Sequence, residues 1–109
     1  MWVFLSDAFF SIVSHDSASL LVRARRKGDI ERVFGVDAAE TIGRDYQLRA
    51  IIDRKTVASV MAGQIEGIAY DNFKNSVRDP KLHSACSTVW GVMAKLQQFP
   101  PYHHVRGRK

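Results

Sequence analysis

Two apolar runs, Trp2 to Leu5 and Phe9 to His15, stand only Ser6-Asp7-Ala8 apart. A connection that short can join two strands only as an antiparallel hairpin. Both runs are rich in aromatic and β-branched residues, which suit a pleated, half-buried surface. The polar turn His15-Asp16-Ser17-Ala18-Ser19 follows. Then Leu20 to Arg25 alternates Leu20, Val22 and Ala24 against Leu21, Arg23 and Arg25, a third strand with one wet face.

Lys27-Gly28 breaks that strand, and Asp29 is placed to cap a short helix Ile30 to Phe34 closed by Gly35. Val36 to Ile42 reads as an edge strand or loop, and Gly43-Arg44-Asp45 as a turn. Tyr46 to Ile52 alternates Tyr46, Leu48, Ala50 and Ile52 against Gln47, Arg49 and Ile51, which predicts another strand. Asp53 then caps a helix over Lys55 to Gly67, with Val57, Met61, Ile65 and Ile68 at helical spacing. Asp79-Pro80 opens a last helix whose stripe is Leu82, Cys86, Val89, Trp90, Met93 and Leu96, closed by Pro100-Pro101. The expected fold is α+β: an antiparallel sheet of four or five strands with two or three helices packed on one face.

At 109 residues the chain is one domain long, and residues 1–99 are expected to form it. The single Cys86 excludes an internal disulfide and a CxxC metal or redox motif, which fits a reducing, cytoplasmic setting. No apolar run approaches the roughly 20 residues of a membrane span, and Asp7 interrupts the apolar N-terminal stretch. The expectation is no membrane partner. The net charge is +5. Arg106, Arg108 and Lys109 supply three of those charges, so 100–109 reads as a disordered basic tail on a nearly neutral body.

Within the body the cations are not scattered. Alternation puts Arg23 and Arg25 on one strand face and Arg49 on the matching face of another, with Arg26 and Lys27 just beyond. A cationic sheet face with stacking rings from Phe9 or Phe10 is the combination that single-stranded nucleic-acid sheets use. The plain alternative is a solvated strand face whose arginines pair with Asp37, Glu40 or Asp45. Arg26-Lys27-Gly28-Asp29 also offers a weaker anion site, with Asp29 competing for the same amides. A second cluster, Tyr70, Asp71, Asn72, Lys74 and Asn75, is a candidate pocket. Its competitor is a short helix capped by Asp71 and Asn75 with Tyr70 and Phe73 filling the core. No catalytic frame stands out among His15, His83, His103, His104 and Cys86, and Cys86 falls on a core stripe as an inert thiol. No metal or other cofactor is implied.

The blocks WVFLSDAFFSIVSH, LLVRARRKGDIERVFG, DYQLRAI and EGIAYDNFKNSV, with the helix around VWGVM, resemble a small bacterial protein family with no assigned activity. The resemblance spans most of residues 1–98 and implies a bacterial cytoplasmic or mobile-element origin. Its recurring groups stand here at Arg23, Arg25, Gly28, Asp29, Asp45, Tyr46, Arg49, Tyr70, Asp71, Asn72, Phe73, Lys74 and Asn75. The function these readings favour is a non-catalytic binding module for single-stranded nucleic acid or a nucleoprotein. The alternatives are a protein-protein adaptor or inhibitor using hairpin aromatics such as Trp2 and Phe4, and a small enzyme built on residues 70–75. A homodimer through the hairpin edge is a further expectation.

Overall fold

The computed structural model describes residues 1–97, so the expected basic tail lies outside the described residues. The protein is α+β, with a five-stranded antiparallel sheet and four helices. The hairpin joins β1 (Trp2–Leu5) to β2 (Ala8–Ser14) through Ser6 and Asp7. β3 (Ser19–Ala24) pairs with β2, and β5 (Leu48–Asp53) with β3, giving the order β1-β2-β3-β5-β4. Of the expected strand 36–42 only Ala39–Glu40 is strand, the short edge β4. Between β3 and β4 lies α1 (Asp29–Phe34), and after β5 come α2 (Arg54–Glu66), α3 (Phe73–Ser76) and α4 (Pro80–Met93).

Register sorts the side chains cleanly. Val3 and Phe10, Ile12, Val22 and Ala50, Ala24 and Leu48, and Leu20 and Ile52 are cross-strand partners on one face, which meets Ile30 and Phe34 of α1 and Val57 of α2 in the main core. The opposite face carries Trp2, Phe4, Phe9, Ser11, Arg23 and Arg49. A smaller core forms there, where Phe4, Phe9 and Phe73 pack on Val77, Leu82 and Cys86. The expectation of helices on one face therefore holds for α1 and α2, while α3 and α4 take the other. Ser6 and Ser76 hydroxyls, 2.6 Å apart, fasten α3 to the hairpin turn.

That split explains why the helical stripes are only half used. Val57 is buried, but Ile65 is 68% exposed; Leu82 and Cys86 are buried, but Met93 is 55% and Leu96 79% exposed. A helix of α4's length runs about 21 Å, whereas neighbouring strands stand only about 4.8 Å apart, so a helix meeting two strands leaves its far end uncovered.

Caps follow the sequence at two helices. Asp53 accepts from the Lys55 amide and Asp79 from the Leu82 amide. At α1 the expectation is corrected: Gly28, at φ 90°, holds the cap position and no side chain caps it. Asp29 is buried instead and turns its carboxylate to Arg26 and Arg32, at 3.5 and 3.1 Å. Arg32 also reaches Asp7, and Arg26 reaches Asp79, so one ionic chain ties the hairpin turn, α1 and the α4 cap together. Burial opposes the charge on Arg32, but its hydrogen bonds to Asp29 and Asp7 outweigh that and raise its pKa.

Three carboxylates, the exposed Asp16 and Asp79 and the half-buried Glu31, are held below their ordinary values. Asp16 accepts from the Ser19 hydroxyl and from the Ala18 and Ser19 amides, Glu31 from the Ala38 amide, and Asp79 from the Leu82 amide with help from Arg26. A group depressed in the folded state stabilises the fold above its unfolded pKa and loses that contribution as pH falls through the folded value. Urea midpoints are therefore expected to fall as pH drops from above 4.5 to below 3.8, the ordinary values of these groups. The triple variant Asp16→Asn, Glu31→Gln, Asp79→Asn is expected to flatten that decline. An equally steep decline would contradict the assignment.

Candidate nucleic-acid interface

Beside the Phe4–Phe9 pair, the opposite sheet face carries two further cross-strand rows. Trp2, Ser11, Arg23, Arg49 and Ala39 align in one, and Val13, Leu21 and Ile51 in the next. The pairing of Arg23 directly opposite Arg49 is unusual, because like charges at a cross-strand pair destabilise a sheet. Tyr46 is what makes the arrangement tolerable. Alternation placed its ring on the core face with Leu48, but β5 begins only at Leu48 and the chain bends before it. The Tyr46 ring lies on the arginine side, 95% buried, with the Arg23 guanidinium 4.7 Å and the Arg25 guanidinium 4.2 Å from its centroid. Phe9 approaches the same ring at 6.5 Å.

Hydrogen bonds then fix each guanidinium. Arg23 donates to the Ser11 hydroxyl at 2.7 Å, Arg25 to the Asp45 carbonyl at 2.9 Å, and Arg49 to the Tyr46 carbonyl at 3.1 Å. The only carboxylate near the three, among the described residues, is the exposed Asp45, 3.7 Å from Arg49. Arg23 Nε is buried with no hydrogen-bond partner among the described residues. Arg23 and Arg25 are thus pre-oriented over one ring and Arg49 on the same residue's carbonyl, with little compensating charge, an arrangement that favours an arriving anion.

Arg26 and Lys27 do not join them. Arg26 is held by Asp29 and Asp79, and Lys27 pairs with Glu40 at 3.3 Å. The local anion site expected at Arg26-Lys27-Gly28-Asp29 is likewise filled by the protein's own buried carboxylate. Of the rings expected to stack, Phe10 is fully buried on the main core and Phe9 is half-buried. Trp2, which shares the arginine row, is the ring open to solvent at 66% exposure.

The cluster at 70–75 divides. Asp71, Asn72 and Lys74 line a cavity of about 430 Å³ with Phe4, Phe73, Cys86 and Trp90. Tyr70 faces a separate cleft of about 830 Å³, between β1 and the chain that carries α2 round to α3. Asn72, rather than Asp71 or Asn75, caps α3 by accepting from the Asn75 amide, and Lys74 sits 4.1 Å over the Trp90 ring. Phe73 packs on the smaller core while Tyr70 stays 38% exposed. Among the described residues no group of three His, Cys, Asp or Glu is placed to hold a metal, and no helix is long and apolar enough to cross a membrane.

Burial pushes the Cys86 thiol up from its ordinary value, which keeps it protonated and unreactive at neutral pH. Iodoacetamide is expected to label Cys86 roughly tenfold or more slower in the folded protein than in urea, and equal rates would contradict its burial. Comparison with family models, with curated proteins and with solved structures finds no match for this chain.

Proposed function

We propose that this protein is a non-catalytic module that binds single-stranded nucleic acid, alone or in a nucleoprotein, through the sheet face bearing Arg23, Arg25 and Arg49. The observation that carries this reading is the gathering of Arg23 and Arg25 over the Tyr46 ring and of Arg49 on its carbonyl, with the exposed Asp45 paired to Arg49 alone. Phosphates pair with such groups, and phosphate contacts supply most sequence-independent affinity. Bases have Trp2 in the same row to stack on, and the open apolar row of Val13, Leu21 and Ile51 beside it. The setting that goes with this reading is the bacterial cytoplasm.

The test is fluorescence anisotropy of a labelled mixed-sequence oligonucleotide, as RNA and as single-stranded DNA. Loss of one charge-assisted contact costs about 1.5 kcal/mol, roughly tenfold in affinity. Arg23→Ala with Arg49→Ala is therefore expected to weaken binding by more than tenfold, while Lys27→Ala, whose charge is already paired, leaves it nearly unchanged. Equal effects of the two variants would contradict the site. A protein partner retained after nuclease treatment, with no oligonucleotide binding, would favour an adaptor instead.

A further inference from the structure

Beside the arginine face, a second site follows from the way α4 meets the hairpin. Leu82 of α4 packs on Phe4 and Phe9 in the smaller core, but Ala85 and Val89 leave a gap beside Trp2 and those two rings. A cavity of about 320 Å³ remains, within the size range of small-molecule sites. Its walls are almost wholly apolar, with the indole N–H of Trp2 a polar group among aromatic and aliphatic side chains. Arg25, Arg26 and Lys81 make its rim charged, and the buried Asp29 also lines it.

The charges on that rim do not cancel. Asp29 is matched by Arg26 and Arg32, and Arg26 is shared with Asp79. Arg25 gives its hydrogen bond to a carbonyl, and neither Arg25 nor Lys81 forms an ion pair with a carboxylate among the described residues. Two uncompensated cations therefore overlook an apolar compartment. A neutral apolar molecule would leave them unused, and a polar anion without an apolar body would leave the cavity unfilled. We infer that this cavity binds a small organic monocarboxylate, its aliphatic or aromatic body between the hairpin rings and α4 and its carboxylate at Arg25 and Lys81.

Octanoate and phenylbutyrate serve as the probes, with octanol as the uncharged counterpart, followed by titration calorimetry and by the fluorescence of Trp2 in a Trp90→Phe background. Saturable binding of at least one acid is expected, with octanol weaker by roughly tenfold or more. Lys81→Gln with Arg25→Gln is expected to remove that preference for the acid. Ala85 lines the cavity and is exposed on α4, so Ala85→Phe fills the cavity and is expected to abolish binding. That variant leaves the Arg23 and Arg49 row intact, so oligonucleotide binding by it separates this site from the nucleic-acid reading. No saturable binding of either acid, equal affinity for acid and alcohol, or binding that survives Ala85→Phe would overturn the inference. The charge variants decide the question if the filled variant fails to fold.

Discussion

Phe10→Ala is expected to remove about 3–5 kcal/mol of stability, enough to bring the fold near its unfolding threshold. Phe10 is 0% exposed, sits in β2 at the centre of the main core, and meets Phe34 of α1 edge to face at 5.1 Å. Truncation leaves a cavity that strands on both sides, tied by long register, cannot collapse to fill. For a domain of this size each kcal/mol moves the melting temperature by about 4–8 °C, so a drop of roughly 12 °C or more is expected in a circular dichroism melt. Phe9→Ala, one residue along but on the half-buried opposite face, is expected to cost about half as much. Equal losses at the two positions would contradict the face assignment on which the rest of the account depends.

Asp29→Ala is the second large effect, with an expected loss of about 2 kcal/mol. Breaking a buried ion pair typically costs about 3–5 kcal/mol, and the figure is lowered here because Arg26 and Arg32 are each nearly half exposed and keep part of their hydration. The change does more than remove a pair. Asp29 is the middle of the chain Asp7, Arg32, Asp29, Arg26 and Asp79, so its loss leaves two guanidinium groups beside a buried position and loosens α1 from the hairpin and from the α4 cap. Asp7→Asn, at the exposed end of the same chain, is expected to change the urea midpoint little. A larger effect at Asp7 than at Asp29 would mean that the network is held from its outer end.

These effects bear on what a sequence of this kind discloses. The faces of β3 and β5 were legible because a period of two with one polar side leaves only one register, so Val22 and Ala50 had to share a face, whereas the adjacent apolar Phe9 and Phe10 left the faces of β2 open. Which side of the sheet each helix would take was not, since helical spacing defines a stripe but carries no information about the surface that receives it. Leu82 and Cys86 therefore read as part of the same core as Val57, although they pack on Phe4 and Phe9 across the sheet. The arginine row was legible for the same reason as the strands. Its organising residue was not: Tyr46 continues the alternation of Leu48 and Ala50 by spacing, and only the bend before β5 carries its ring to Arg23 and Arg25. Asp29 misled in the opposite way. A carboxylate after glycine at a helix start resembles a cap, and its burial against Arg26 and Arg32 depends on residues placed by tertiary structure.

The most direct test of the arginine face is the salt dependence of oligonucleotide binding, measured for the protein and for Arg23→Gln, Arg25→Gln, Arg49→Gln. Each phosphate contact on a single strand contributes about 0.7 to the slope of log K against log salt. Three lost contacts should make the slope shallower by about 2 while the protein stays folded. An unchanged slope in a folded variant would contradict a phosphate-binding role for this face.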